Sequence, residues 1–358
     1  MKKTGAKSGK WVKTAVILLI VLLVGAGLVT ILLHRNSTID FSADLQGYET
    51  SVFAPLGNGF AALSEVSARL YGSHGETIQS LPRSYPDGMI ASSKNAAAVW
   101  SVGGTAVSIL YTNGKSRDLN YADGITTVDL NDEGYAVILA GEKGYKGFAD
   151  VIRPDGSEAY RLYVASGYPI DVDISPDSRH IAILSLTSDG TRLSVYSISE
   201  EEPEFEWEDS ELYFDAEYLR GGRIFLISAE KAAIFTSSGM EAGEYSFKGD
   251  RLRDYSTSGT AGVVLVIGQY QTGSAEKVIT MNNDAMEIAV LECDKEVSVL
   301  SAAGNHIAIL GSDDIRLYDW ELNERLSLGS VAGVQTVMMR TDGRAILISG
   351  GGAAIIEP

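Results

Sequence analysis

Pro169 to Ser199 reads PIDVDISPDSRHIAILSLTSDGTRLSVYSIS, and this stretch decides the fold. Ile170, Val172 and Ile174 alternate with Asp171, Asp173 and Ser175, the period of a strand with one buried face. Pro176-Asp177-Ser178 marks a turn, because proline presets φ and the aspartate side chain bonds the backbone just ahead of it. Ile181-Ala182-Ile183-Leu184 is apolar on both faces, as a strand covered on both sides must be. Ser188-Asp189-Gly190 turns the chain again, and Leu193, Val195 and Tyr196 form a third strand.

Variants of this unit recur. Their first strands begin near Thr50, Gly88, Gly124, Pro169, Glu211, Arg251, Glu296 and Gly333. Spacings of about 37 to 45 residues match the period of four-stranded propeller blades. The second strand of each unit is the most apolar, as in AAAVW, YAVIL, HIAIL, RIFLI and VVLVI, which suits strands packed between neighbouring blades. A transmembrane barrel would instead alternate cleanly over about ten residues, and a solenoid would want a capping unit. The final unit, GVQTVMMRTDGRAILISGGGAAIIEP, has sequence for only three strands. A closed ring needs its last sheet completed, and Thr38 to Asp44, TIDFSAD, is expected to supply the missing outer strand. The reading is an all-β fold: an eight-bladed propeller of four-stranded antiparallel blades over residues 36–358. Parsing the irregular third and sixth units differently would make it seven-bladed.

Charge divides the chain. Residues 1–35 hold five lysines and one arginine and no acid; beyond them, 23 basic residues face all 47 acids, a formal −24. That surface would repel nucleic acid, which is bound through clustered lysine and arginine. Thr14 to Leu33, TAVILLIVLLVGAGLVTILL, contains no charge over 20 residues. As a helix it would be about 30 Å long, the hydrocarbon thickness of a bilayer. Its fourteen Leu, Ile and Val residues favour insertion by about 4–8 kcal/mol. Lysines crowd residues 1–13, so the positive-inside rule puts this tail in the cytoplasm and the large domain outside. The rival reading is a cleaved signal peptide, with Val24-Gly25-Ala26 as a small-residue site. The apolar run continues past that site through Leu33, which favours an uncleaved anchor.

Ser175-Pro176-Asp177 before HIAIL is similar to the SPDG-type turn of TolB and WD40-like repeats. Leu317-Tyr318-Asp319-Trp320 resembles the strand that ends in the WD pair, with the order reversed to Asp-Trp. The chain therefore resembles WD40-like and quinoprotein-like propellers. Its layout of basic tail, single span and divergent outer propeller is also similar to the DUF5711 family of membrane proteins, a resemblance that implies no activity.

No residue pattern assigns catalysis, a cofactor or a metal. His180 and His306 open equivalent HIAIL strands, but equivalent places in different blades lie far apart. A histidine hydrogen-bonded to the neighbouring blade is the expected reading. Asp171, Asp173 and Asp177 give D-x-D-x-x-x-D, yet an EF-hand loop would need glycine where Pro176 stands and glutamate where Ala182 stands. There is no G-x-S-x-G nucleophile elbow. The single cysteine, Cys293, excludes an internal disulfide and reads as a small core residue. The one charge run is EEEPEFEWEDSE, from Glu200 to Glu211. One reading makes it an outer strand with Phe205 and Trp207 inward and Glu204, Glu206 and Glu208 guarding the edge. The sharper reading makes Glu204, Glu206, Trp207 and Glu208 a docking strip for a basic protein or cationic wall polymer.

The sequence supports two functions. The first is a membrane-anchored, single-pass, extracytoplasmic scaffold that binds a protein or cell-envelope partner on a rigid face of loops. The second is a propeller enzyme, a hydrolase or lyase acting on polysaccharide or peptide in the central funnel.

Overall fold

The computed structural model describes residues 43–45, 51–258, 260–269, 276–293, 296–329, 331–350 and 352–358. The expected transmembrane helix, the tail before it and residues 38–42 of the expected closing strand lie outside the described residues. Among the described residues no helix is long and apolar enough to cross a membrane.

Among the described residues, thirty-two strands form eight separate four-stranded antiparallel sheets. In blades 1 to 7 the four strands are consecutive in the chain. The inner strands are Val52–Leu56, Gly88–Ser92, Ile125–Leu130, Tyr168–Ile174, Tyr213–Leu219, Arg251–Ser258, Val297–Ala303 and Val334–Met339. Each begins within two residues of its place in the repeat reading. Irregular blades three and six are complete sheets, so the count is eight rather than seven.

Second strands are sealed between blades. Gly59–Leu63, Ala136–Ala140 and Gly262–Gly268 are buried at every position. This is why their sequences lack the alternation of a one-faced strand. Core clusters sit between blades: Val137, Leu139, Ala149 and Val151 of blade 3 pack with Val172, Ile174, Ile181 and Ile183 of blade 4.

Blade 8 contains three strands from the chain's end, and its outermost strand is Ala43–Asp44. Ala43 pairs with Ala353 and Asp44 with Gly352, antiparallel. Leu45 comes next at 1% exposure and packs with Phe60, Ala62 and Tyr71 of blade 1 and Met338, Ile346 and Ile355 of blade 8. The start of the propeller thus completes its last sheet and removes an open edge.

The turns between first and second strands share one construction. In blades 3 and 8 a glycine with positive φ, Gly134 (83°) and Gly343 (86°), closes the turn. In blade 4 Ser178 takes that place at φ 58°. Buried Asn131 of blade 3 holds this turn, donating from Nδ2 to Ser175 O (2.9 Å) and Ser178 Oγ (2.7 Å). Its Oδ1 accepts from the Glu133 and Tyr135 amides of its own turn. Asn131→Ala removes all four bonds, taking a donor from Ser175 O and Ser178 Oγ and an acceptor from the Glu133 and Tyr135 amides. The expected loss is about 3 kcal/mol, read from urea unfolding; a loss under about 0.5 kcal/mol would show that the two turns are independent.

Candidate functional site

Inner strands of a propeller are sheet edges. Their alternate backbone N–H groups face the axis with no fifth strand to receive them. In this chain blades 3 to 8 each carry a bulge at the second or third residue of the inner strand: Thr126, Ile170, Phe214, Arg253, Ser298 and Gln335. A bulge sets two residues of one strand against one of its neighbour and re-aims the side chains beyond it. One or three residues past it, in blades 3 to 7, stand groups that serve the next blade.

Asp171 accepts from the Ala216 amide at 2.9 Å and Asp173 from the Tyr218 amide. Asp129 accepts from the Ile174 amide at 3.2 Å, Asp254 from Leu300 at 3.0 Å, Ser256 from Ala302 at 3.0 Å and Ser301 from Met339 at 2.8 Å. Between blades 5 and 6 the same positions act through side chains. Tyr255 donates its hydroxyl to Asp215, and Thr257 donates to Glu217 at 2.5 Å. The result is a girdle of lateral hydrogen bonds from blade 3 to blade 8 that satisfies six edge amides, on blades 4, 5, 7 and 8.

The girdle borders a central channel of about 1460 Å³ lined by the inner strands of all eight blades. Its wall is uneven. Asp129, Asp171, Asp173, Asp215 and Glu217 face it from blades 3 to 5, while Phe53, Ala91, Val299 and Met338 face it from blades 1, 2, 7 and 8. Lys94 is the one basic residue among the described residues lining it.

Crowding sets the acidity of this wall. Burial, then the charge of Asp215, holds the Asp171 carboxyl well above the usual carboxylate range. Burial, then Asp129, does the same to Asp173. Glu217 is pushed up to about 8 by burial and by Asp215, with the Thr257 hydrogen bond opposing. Burial and Asp215 also raise the Tyr255 phenol. Each amide bond to an aspartate favours its charged form, but desolvation and like charges outweigh it.

The residues singled out in the sequence are placed differently. Asp171 and Asp173 line the channel, whereas Asp177 sits in the turn, accepting from Ser175 Oγ at 2.7 Å and from the Arg179 amide at 3.1 Å. The three do not meet around a common point, and among the described residues no group of His, Cys, Asp and Glu could hold a metal ion. His180 was expected to bond the neighbouring blade; its ring instead lies between Asp177 (3.8 Å) and Glu204 (3.4 Å) of its own blade. His306 does lean on a neighbour, packing over Gly343 of blade 8, where a Cβ would come 3.3 Å from the ring.

Phe205–Asp209 is the outer strand of blade 4. Trp207 packs inward, 4.7 Å from the Phe235 ring and 5.5 Å from Tyr213. Glu208 is bound by Arg192 at 2.5 Å, Glu206 accepts from Ser194 Oγ at 3.0 Å, and Glu204 faces His180. Every carboxylate of this strip therefore has a partner within its own blade. Sequence reasoning found the strip from its composition but missed the girdle, whose signal is a short acceptor 45 or 46 residues before the amide it serves in the next unit, or 38 for Ser301 and Met339.

The comparisons with known proteins agree with this geometry. The sequence profile described as "Family of unknown function (DUF5711)" matches residues 34–357. The chain belongs to the DUF5711 family. No curated protein matches this DUF5711 chain by sequence. Solved structures match its fold. The C-terminal WD40 domain of Sif2 superposes with a TM-score of 0.63 at 13% identity, covering 90% of this chain and 98% of that one. BamB from Moraxella catarrhalis gives 0.56 at 14% identity, covering 90% and 97%. Sqt1 from Saccharomyces cerevisiae gives 0.62 at 11% identity, covering 90% and 99%. At such identities the likeness is one of fold, so the DUF5711 propeller is WD40-like and BamB-like in architecture.

Proposed function

We propose that this DUF5711 chain is a membrane-anchored extracytoplasmic scaffold. Residues 14–33 span the bilayer, residues 1–13 stay in the cytoplasm, and the propeller docks a protein or cell-envelope partner. The closed ring carries this reading. Eight blades joined at a seam hold their loops on rigid supports, the usual basis of a recognition face. The channel acids, which would be the natural tools of an enzyme, are already engaged with neighbouring blades. The Sif2, BamB and Sqt1 structures support the architecture, and fold alone names no partner.

The test is topology and capture in intact cells. The propeller should be cut by added protease while a tag on residues 1–13 is protected, and crosslinking should recover one reproducible partner. Carbonate washing that frees the chain from membranes, or protection of the propeller, overturns the anchored reading.

One observation favours an enzyme as the second reading. Glu217, pushed up to about 8, would be protonated near neutral pH, as a general acid must be. Under that reading Glu217→Gln lowers hydrolysis of envelope glycans or peptides by about 10²–10⁴-fold. Under the scaffold reading neither chain turns them over.

A further inference from the structure

The first and second strands of each blade join on one face of the ring, as do the third and fourth. The opposite face carries the second-to-third connections, the blade-to-blade connections and the starts of the inner strands. Among the described residues, fourteen large apolar side chains are exposed, and ten lie on that opposite face: Val52, Val66, Met89, Val102, Tyr145, Tyr163, Tyr168, Leu186, Leu212 and Phe214. Single exposed apolar residues are ordinary; a one-sided set is not.

Six of them run together across blades 3 to 5. The Tyr145 and Tyr163 rings stand 4.7 Å apart. Lys146, next in the chain to Tyr145, lies 4.1 Å above the Tyr168 ring and donates to its hydroxyl at 3.0 Å. Tyr168 pairs directly with Leu186 across the strands of blade 4. From there Thr191 Oγ1 donates to Glu211 O at 2.7 Å, tying blade 4 to the loop that presents Leu212. Phe214 is the bulge residue of blade 5. Tyr168 and Leu212 are 62% and 63% exposed, and Phe214 47%.

We propose that this band, Tyr145, Tyr163, Tyr168, Leu186, Leu212 and Phe214, docks a segment of another protein that presents aromatic or aliphatic side chains flanked by lysine or arginine. The proposal rests on the scaffold reading and names its surface. The apolar character comes from the band. The basic flanks come from charge: residues 36–358 carry a formal −24, and the band's rim holds Asp123, Glu142, Asp189 and Glu211 against Lys143 and Lys146. Lys146 is engaged with Tyr168. A field of that sign attracts a cationic partner and repels a second copy of the same chain. A glycan would stack on the tyrosines, but Leu186, Leu212 and Phe214 offer it no hydrogen bond, so a peptide is the better match.

The test uses the full-length chain in detergent and three probes measured by fluorescence anisotropy. These are a short Leu/Phe peptide interspersed with lysine, the same peptide with glutamate for lysine, and soluble peptidoglycan fragments. The lysine peptide should bind at least about tenfold tighter than the glutamate peptide. Leu212→Ser with Phe214→Ser should weaken it by about tenfold or more without moving the melting temperature. Tyr168→Ser with Leu186→Ser should do the same. Equal binding of the two peptides, binding untouched by both double variants, or binding of the glycan fragments alone overturns the proposal. Photo-crosslinkers at Leu212 and at Met240, on the other face, separate this from the broader reading. A partner recovered only at Met240 removes the band and keeps the scaffold; a partner at neither removes both.

Discussion

Leu45→Asp opens the propeller at its seam. Leu45 is 1% exposed and sits where the beginning of the domain meets its end, among Phe60, Ala62 and Tyr71 of blade 1 and Ile346, Ala353 and Ile355 of blade 8. Truncating such a residue to alanine costs about 2–5 kcal/mol through lost burial and the cavity left behind. A carboxylate adds the cost of burying a charge with no partner. The strand just before it, Ala43–Asp44, pairs with Ala353 and Gly352 of blade 8. The expected result is a loss of about 5 kcal/mol or more, on the order of a domain's whole stability. The seam should also take up hydrogen–deuterium exchange first in blades 8 and 1. Val66→Asp, at a position 69% exposed, is the control and should stay within about 0.5 kcal/mol of the parent. Equal stability of Leu45→Asp and the parent would mean that the ring does not depend on this closure.

The sequence carried the architecture because repetition multiplies weak signals. One run such as HIAIL fits a buried strand or a helix segment, but seven apolar second strands at a common spacing fit only stacked blades. The closing strand was legible for the same reason: a unit with three strands demands a fourth. The channel was not legible. Asp171, Asp173 and Asp177 share a D-x-D-x-x-x-D spacing that fails as an EF-hand loop, and nothing in that spacing separates the two channel aspartates from the turn aspartate. The bulge at Ile170 fixes which side chains face the axis, and a one-residue bulge leaves no mark in an alternation pattern. His180 was misplaced for a related reason. Its partner Glu204 immediately precedes the outer strand of the same blade, a placement set by how that strand enters the sheet and not by the repeat. The apolar band was invisible because its members come from three blades and look like ordinary strand residues until exposure is known.

Stability of this propeller should fall as pH rises through neutrality. Asp171, Asp173 and Glu217 are raised above their ordinary values in the folded state. A raised carboxyl holds a proton when folded that the unfolded chain has already released. Its contribution is full below the unfolded value and lost as pH climbs through the folded one. For Glu217 the window runs from 4.5 to about 8. The groups facing these three are Asp129, Asp215, Tyr255 and Thr257. Tyr218 N and Ala216 N are committed as donors, and no base is among the causes of any of the three shifts. The expected loss between about pH 5 and pH 8.5 is a few kcal/mol, measured by urea unfolding at each pH. The variant Asp171→Asn, Asp173→Asn, Glu217→Gln keeps an acceptor oxygen at each position and removes the titration. It should match the parent at the acid end of that range, exceed it at the alkaline end and show a flatter slope. Its control is Asp189→Asn, Glu201→Gln, Glu202→Gln, which removes the same charge from exposed positions and should leave the slope in place. A parent whose stability is flat or rises across the range would mean that water or a cation relieves the channel carboxyls. The girdle would then be held by charged aspartates, as its amide bonds alone would favour.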